Sequence, residues 1–168
     1  MESSALARFE VAVLPHLDAA YTLARYLTRN AHDAEDVVQD ACLRALKYFD
    51  GFRGEAGTSA RAWLLTIVRN TAHSWHTQHR TDGLAVEFDE REHSPAVTNR
   101  QPEARETLGR ALDRLAPEFR EVIVLRELQG LSYKEISDVT GVPIGTVMSR
   151  LSRARARLQE ALREEEVR

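Results

Sequence analysis

Apolar residues recur along most of the chain at intervals of three and four positions, the period of an amphipathic α-helix. This pattern predicts helices near residues 5–28, 33–49, 59–79, 101–115, 117–129, 132–140 and 143–164. A half-buried strand would alternate apolar and polar residues, and no such alternation is sustained here. The sequence therefore predicts an all-α fold.

The helical period is lost between about Arg80 and Pro102. This segment also contains Gly83 and Pro95, and acidic side chains outnumber basic ones in it. Such a composition is typical of a flexible linker. The expected organisation is two small helical domains, residues 1–80 and 103–168, joined by an acidic flexible linker over residues 81–102.

Length and composition limit the function classes. The chain has 168 residues, 43% of them hydrophobic, which is enough for a packed core. No apolar run is long enough to span a membrane, and the start of the sequence does not read as a secretory signal. The single cysteine, Cys42, fits a reducing compartment. We expect a cytoplasmic protein without direct membrane insertion.

Turn and capping residues in the last third of the chain predict a helix-turn-helix. Ser132 and Glu135 have the spacing of a capping box, which would begin a short helix. Gly141, Val142 and Pro143 then form a tight turn into the final helix. In a helix-turn-helix the second helix enters the major groove of DNA.

The final helix separates into faces that fit this role. Val147, Leu151, Ala154 and Leu158 form one apolar stripe at 100° per residue. Small polar residues lie opposite, where they would approach base edges closely. The residues predicted to face the bases are Ser149, Ser152 and Arg153, and those predicted to contact phosphates are Thr146, Arg150, Arg155 and Arg157.

A solvated, salt-bridged surface helix is the alternative interpretation of the same arginines. Residues 144–158 contain no acidic side chain that would balance them, although Glu160 and Glu164 follow. The local excess of positive charge favours DNA binding.

The helix predicted over residues 33–49 carries an acidic face with a leucine in it. Asp36, Gln39, Asp40 and Leu43 share this face at helical spacing. A leucine among outward-facing acids indicates a protein-binding surface. Taken alone, the same residues fit an ordinary acidic surface equally well.

The helix predicted over residues 59–79 carries a basic sector made by Arg69, His73, His76 and Arg80. The preceding loop, FRGEAGTSA, contains glycines and ends near the N-cap residues Thr58 and Ser59. A basic helix face can hold a strand backbone while a loop grips an unstacked base. We therefore consider this region a single-strand binding candidate.

Metal binding and catalysis are not supported. His73, His76 and His79 invite a metal hypothesis, but His79 points elsewhere on the helix and no further ligand lies nearby in sequence. No nucleophile motif, phosphate-binding loop or dinucleotide fingerprint is present. We expect no cofactor, no metal and no enzymatic activity.

Two separated motif blocks resemble the extracytoplasmic-function (ECF) sigma factors of bacterial RNA polymerase. The first is NAHDAEDVVQDACLRALKYFDGFRG with ARAWLLTIVRNTA, and the second is EVIVLRELQGLSYKEISDVTGVPIGTVMSRLSRARARL. Matching stretches cover most of residues 20–80 and 105–162. The resemblance implies a promoter-recognition subunit with two helical domains, called regions 2 and 4.

The resemblance also implies a role for each candidate surface. Asp36, Gln39, Asp40 and Leu43 would dock on the clamp coiled coil of the polymerase beta-prime subunit, and region 4 would meet the beta flap. The stretch FRGEAGTSARAWLLTIVRN would capture a flipped base of the minus-10 element and assist melting, and the final helix would read the minus-35 element. The predicted minus-10 contacts are Arg53, Glu55, Thr58, Arg69, Asn70, His73, His76 and Arg80.

Members of this family are commonly held inactive by a cognate anti-sigma factor, so the resemblance implies such a partner in addition to core polymerase and promoter DNA. The linker acids either occupy the RNA-exit path of the polymerase or belong to a simple spacer. The rival interpretation of the whole chain is a two-domain helix-turn-helix regulator that acts without being a polymerase subunit. Such a regulator would need a sensor pocket in its first domain, and it would not need both a docking face and a strand-binding face.

Overall fold

The computed structural model describes residues 2–52, 59–81 and 102–167, and all regular structure in these ranges is helical. The predicted all-α class is therefore confirmed for the described residues. The N-terminal half contains α1 (Glu2–Val13), α2 (Leu17–Thr28), α3 (Ala31–Tyr48) and α4 (Ala60–Thr81). The C-terminal half contains α5 (Pro102–Asp113), α6 (Pro117–Ile123), α7 (Tyr133–Thr140) and α8 (Ile144–Glu166).

The prediction of one continuous helix over residues 5–28 is wrong. A short 3₁₀ turn, Leu14–His16, separates α1 from α2. Pro15 lies in this turn, and a proline inside a helix removes a backbone donor and clashes with the preceding turn. The apolar period alone continues through the break, whereas Pro15 is the residue in the sequence that marks it.

Alanines let α2 and α3 approach each other closely. The buried alanines are Ala20 and Ala24 on α2 and Ala34, Ala41 and Ala45 on α3. Larger side chains, such as Leu23 and Val37, fill the remaining space with Leu64, Leu65 and Val68 of α4. Three helices thus share one interior, and α3 keeps its opposite face exposed.

An aromatic cluster holds the beginning of α4. The rings of Phe49 and Phe52 lie against Trp63, with centroids 6.2 Å and 4.8 Å from it. Phe9 of α1 packs edge-on against Phe49 at 5.4 Å. Ser59, one of the two predicted N-cap residues, accepts a hydrogen bond from the amide of Ala62 at 3.0 Å.

The helix predicted over residues 117–129 changes its hydrogen-bonding pattern midway. It is α-helical as α6 and then widens into a π turn, Val124–Leu128, in which the Gln129 amide donates to the Val124 carbonyl at 3.0 Å. Gly130 follows with a φ of 69° and ends the helix.

The two halves pack against each other, which the sequence did not indicate. Helices α2 and α4 contact α6 and α7, and one apolar cluster joins both halves. Leu112, Val122 and Leu125 belong to the same cluster as Leu23 and Leu64. The linker proposed between the halves lies, apart from its ends, outside the described residues, and the domain limits stay predictions.

Among the helices of the described ranges, none combines the length and the apolarity needed to cross a membrane.

Candidate nucleic-acid and protein interfaces

The helix-turn-helix is built by local chemistry that the sequence predicted correctly. The Ser132 hydroxyl accepts from the Glu135 amide at 3.1 Å, and the Glu135 carboxylate accepts from the Ser132 amide at 3.0 Å. This reciprocal capping box begins α7. Gly141, with a φ of 75°, ends α7 in the left-handed conformation that favours glycine. Pro143 is the N-cap of α8.

The faces of α8 agree with the sequence-based expectation. Val147, Leu151 and Ala154 are buried against α6 and α7. Because burial fixes the rotation of the helix about its axis, the opposite face points outward. Ser149, Ser152 and Arg153 are all exposed on that face.

The residues predicted to contact phosphates flank this face, but one of them already has a partner. Thr146 and Arg150 are half-buried, and Arg157 is exposed. Arg155 contacts the Glu127 carboxylate, with its Nε at 3.0 Å and its Nη2 at 2.8 Å. Glu127 lies in the π turn, so no short-range sequence signal connects the two residues.

The predicted basic sector of α4 is divided between different neighbours. His73 and His76 are both exposed. The Nε2 of His76 lies 2.8 Å from the Leu27 carbonyl of α2. The Arg69 guanidinium is 2.5 Å from Glu121 of α6. Asn70 is exposed one position along the helix.

The remaining predicted minus-10 contacts lie outside the described residues. Arg53, Glu55 and Thr58 fall between the described ranges, and the side chain of Arg80 is not described.

Desolvation weakens the charge that His73 would bring to a strand. Partial burial of the ring is the main cause that lowers the pKa of His73 below its usual value, and the nearby Arg69 cation is the second. The Glu121 carboxylate opposes them with a smaller effect. A lower pKa means a smaller charged fraction at neutral pH.

The described residues contain no group of three or more histidine, cysteine, aspartate or glutamate side chains placed to hold a metal ion. His73 and His76 are among these residues, and the side chain of His79 lies outside them.

The acidic face of α3 is a surface feature. Asp36 and Gln39 are exposed, and 67% of Leu43 is accessible to solvent. Asp40 forms an ion pair with Arg44 one turn later, at 3.2 Å. An exposed leucine bordered by polar side chains is the arrangement expected of a small protein-binding surface.

Two carboxylates missed by the sequence reasoning face α4. Glu121 pairs with Arg69, and Glu135 accepts a hydrogen bond from the Ser59 hydroxyl at 3.2 Å. Both come from the C-terminal half, 52 and 76 residues further along the chain. A capping box accounts for Glu135 locally, so nothing in the sequence marked its second contact.

Comparison with known protein families identifies both halves. The family "Sigma-70 region 2" matches residues 12–81, and the family "Sigma-70, region 4" matches residues 105–158. These ranges follow each other in the order that the motif blocks predicted, and together they cover more than half of the chain.

Individual relatives agree with this assignment. The ECF sigma factor SigE of Mycolicibacterium smegmatis is 32% identical over 96% of this chain, which spans 64% of that relative's length. The ECF sigma factor EcfG of Rhodopseudomonas palustris is 34% identical over 90% of this chain and 82% of its own length.

A solved structure shares the fold. It is the sigma factor RpoE from Bartonella quintana in complex with the anti-sigma factor NepR, 34% identical, covering 93% of this chain and 97% of that one, with a TM-score of 0.79. Together with the two matched regions and the curated relatives, this similarity shows that the chain belongs to the ECF sigma factors of bacterial RNA polymerase.

Proposed function

We propose that this sigma factor docks on core polymerase through α3 and contacts promoter DNA through α4 and α8. The observation that carries the proposal is the combination of three outward faces on one chain: an acidic face with Leu43 on α3, polar residues on α4, and the small polar face of α8. The α3 face would thus suit core polymerase, and the faces of α4 and α8 would suit promoter DNA.

The α3 face would meet the beta-prime clamp coiled coil. Asp36, Gln39, Asp40 and Leu43 lie at its surface, and Leu43 would supply the apolar centre of the contact. The acids around it would favour a basic partner surface and steer the encounter. Region 4 would correspondingly contact the beta flap.

DNA recognition would be divided between two helices. On α8, Ser149, Ser152 and Arg153 would read the minus-35 bases in the major groove, while Thr146, Arg150, Arg155 and Arg157 hold the phosphates. On α4, Arg69, Asn70, His73 and the neighbouring predicted residues would hold the minus-10 strand as it separates.

A cognate anti-sigma factor is the proposed regulator, and the cytoplasm is the proposed location. The similar RpoE of Bartonella quintana is described in complex with the anti-sigma factor NepR. A polymerase subunit also has to act in the compartment that contains the polymerase. The regulator that works without polymerase is not favoured, because the family match includes region 2 as well as the helix-turn-helix.

Reconstituted transcription tests the proposal. Purified protein and core polymerase are incubated with a library of random promoter sequences, and the transcripts are sequenced. We expect transcripts whose templates share two upstream elements. Their absence in every library would contradict the proposed function, and the same transcripts without the protein would show that it is not the specificity subunit.

Charge reversal tests the docking face. The double variant Asp36→Arg/Asp40→Arg should bind core polymerase more weakly, because two positive charges in place of the two acids would repel the basic partner surface. The matched control, Glu10→Arg/Glu103→Arg, makes the same change in net charge at exposed positions on α1 and α5. Equal polymerase affinity for the two variants would exclude the docking assignment.

A further inference from the structure

Two large apolar side chains are exposed near the beginning of α8. Met148 is 52% exposed and Ile144 is 44% exposed, although the adjacent Val147 is completely buried. Met148 follows Ile144 by one helical turn, so the two side chains lie on the same side of the helix. They form a small apolar patch on the helix that is proposed to enter the major groove.

The rotation of α8 places Met148 beside the face proposed to read bases. The buried Val147 marks the side of the helix that faces the interior. At 100° per residue, Met148 points about 100° away from Val147, and Ser152 points about 140° away. Met148 is therefore only about 40° from a residue of the base-facing side, and it is further than that from the buried side.

The position of Met148 along the axis places it where a recognition helix meets the bases. Met148 lies in the second turn of α8. Arg155 lies on the same flank about 10 Å further along the axis, since each residue adds 1.5 Å. In a helix-turn-helix the N-terminal residues of the recognition helix contact base edges. Met148 would therefore be deeper in the groove than Arg155.

The surroundings of Met148 determine which partner its side chain suits. Residues 144–158 contain arginines and no acidic side chain, so this part of the helix attracts a polyanion such as DNA. A thioether carries no charge and does not bind a phosphate. The apolar group that a base presents in the major groove is the C5-methyl of thymine. Methionine is unbranched and flexible, so it can pack on such a group.

We propose that Met148 is a specificity-determining residue that packs on the C5-methyl of one thymine in the minus-35 element, with Ile144 extending the apolar contact. The inference rests on the proposed function, since it takes α8 as the helix that reads this element. Ser149, Ser152 and Arg153 would read other base positions through hydrogen bonds. The factor should therefore require a thymine at one position of its minus-35 element.

Deoxyuridine is the direct probe, because it lacks the methyl group of thymine and keeps the same base pairing. The minus-35 element selected by the wild-type holoenzyme is synthesised with each thymine of either strand replaced in turn. Loss of one buried methyl group should weaken holoenzyme binding about fourfold at one position. Equal affinity for all of these duplexes would overturn the proposal, and so would a selected element without A·T pairs.

Shortening the side chain should abolish this sensitivity. In Met148→Ala the affinities for the thymine and deoxyuridine duplexes should become equal, because no side chain remains to contact the methyl group. The variant should fold, since the replaced side chain is exposed and alanine has the highest helix propensity. Met148→Leu keeps an apolar side chain and should retain most of the difference. A fourfold difference that persists in Met148→Ala would overturn the proposal.

Leu6→Ala is the matched control. Leu6 is exposed to a similar degree, 48%, but it lies on α1. This variant should keep the fourfold preference for the thymine duplex, and its loss there would overturn the proposal. Weaker assembly of Met148→Ala with core polymerase, at an unchanged thymine preference, would instead assign Met148 to a protein contact. Failure of the proposed function would show differently, as a lack of promoter-specific transcripts from the wild-type protein with core polymerase.

Discussion

Arg120 is a buried cation whose partners are backbone carbonyls. It is 5% exposed, and it donates to the carbonyls of Leu112 and Leu115 at 2.9 Å and 2.8 Å, with a longer contact of 3.3 Å to Asp113. The last carbonyls of a helix have no partner within the helix. Arg120 therefore closes the end of α5 and fixes the turn into α6, and burial lowers its pKa.

Replacing this side chain should destabilise the C-terminal half. Arg120→Ala removes the guanidinium donor from the Leu115 carbonyl and one of the two donors from the Leu112 carbonyl, which keeps the Leu115 amide at 3.0 Å. We expect a cost of about 2 kcal/mol in free energy of unfolding. Urea unfolding followed by circular dichroism measures the loss. Arg120→Lys should recover only part of it, because an ammonium lacks the planar fork. A loss no larger than that of the exposed Arg163→Ala would contradict this role.

Substituting Arg153 should show whether this residue of α8 reads a base or contacts a phosphate. If it faces a base, Arg153→Ala should reduce discrimination between the selected minus-35 element and altered sequences by about 1–3 kcal/mol. The affinity of the holoenzyme is measured for DNA with the selected minus-35 element and for DNA with the altered sequences, and the two values are compared. Arg157→Ala, on the flank, should weaken binding to both sets alike. A uniform loss for Arg153→Ala would reassign that residue to the phosphates.

Among the helices, α7 shows how capping stabilises an element, because the Ser132–Glu135 capping box begins the helix-turn-helix there. The Ser132 backbone amide, donating to the Glu135 carboxylate, lowers the pKa of Glu135, against a smaller effect of burial. A carboxyl whose pKa falls on folding adds stability above its unfolded pKa. That contribution is lost as the pH falls through the folded pKa.

Removing the capping hydroxyl tests this element. Ser132→Ala should lower the free energy of unfolding by about 1 kcal/mol, because the amide at the third position of α7 loses its acceptor. Ser152→Ala is the control, since it is an exposed serine in the middle of α8. Urea titrations at neutral and acidic pH measure both effects. The two variants should differ at neutral pH, and no difference there would contradict the capping role.

At the scale of the whole molecule, the contact between the halves should make them unfold together. Both tryptophans, Trp63 and Trp75, lie in α4, so their fluorescence reports the N-terminal half alone. Circular dichroism reports both halves. In the wild-type protein the two signals should therefore have the same urea midpoint.

Glu121→Gln should separate these midpoints. The variant leaves Arg69 without its buried charged partner. This change lowers the free energy of unfolding by up to about 3 kcal/mol and weakens the coupling between the halves. Glu127→Gln removes an acid that pairs with Arg155 within the C-terminal half, and it should leave the midpoints together. Coincident midpoints in all three proteins would show that Glu121 does not couple the halves.

Local order along the chain was largely predictable. The capping box at Ser132, the helix end at Gly141 and the buried stripe of Val147 and Leu151 depend on residues a few positions apart. The two breaks were missed because the prediction followed the hydrophobic period, which continues through both, and Pro15 was the sequence signal of the first break. The 3₁₀ turn at Pro15 and the π turn after Ile123 change hydrogen bonding without changing which side chains are apolar.

The all-α class, the two motif blocks in sigma-factor order and the outward face of α8 were predictable from the sequence, because helical period and capping are short-range properties. The long-range partners of the charged side chains, by contrast, depend on the packing of the helices. Glu121 meets Arg69, and Glu127 meets Arg155, across 52 and 28 positions of sequence. Such pairs depend on how helices pack, and packing is set by the whole apolar interior rather than by any local pattern.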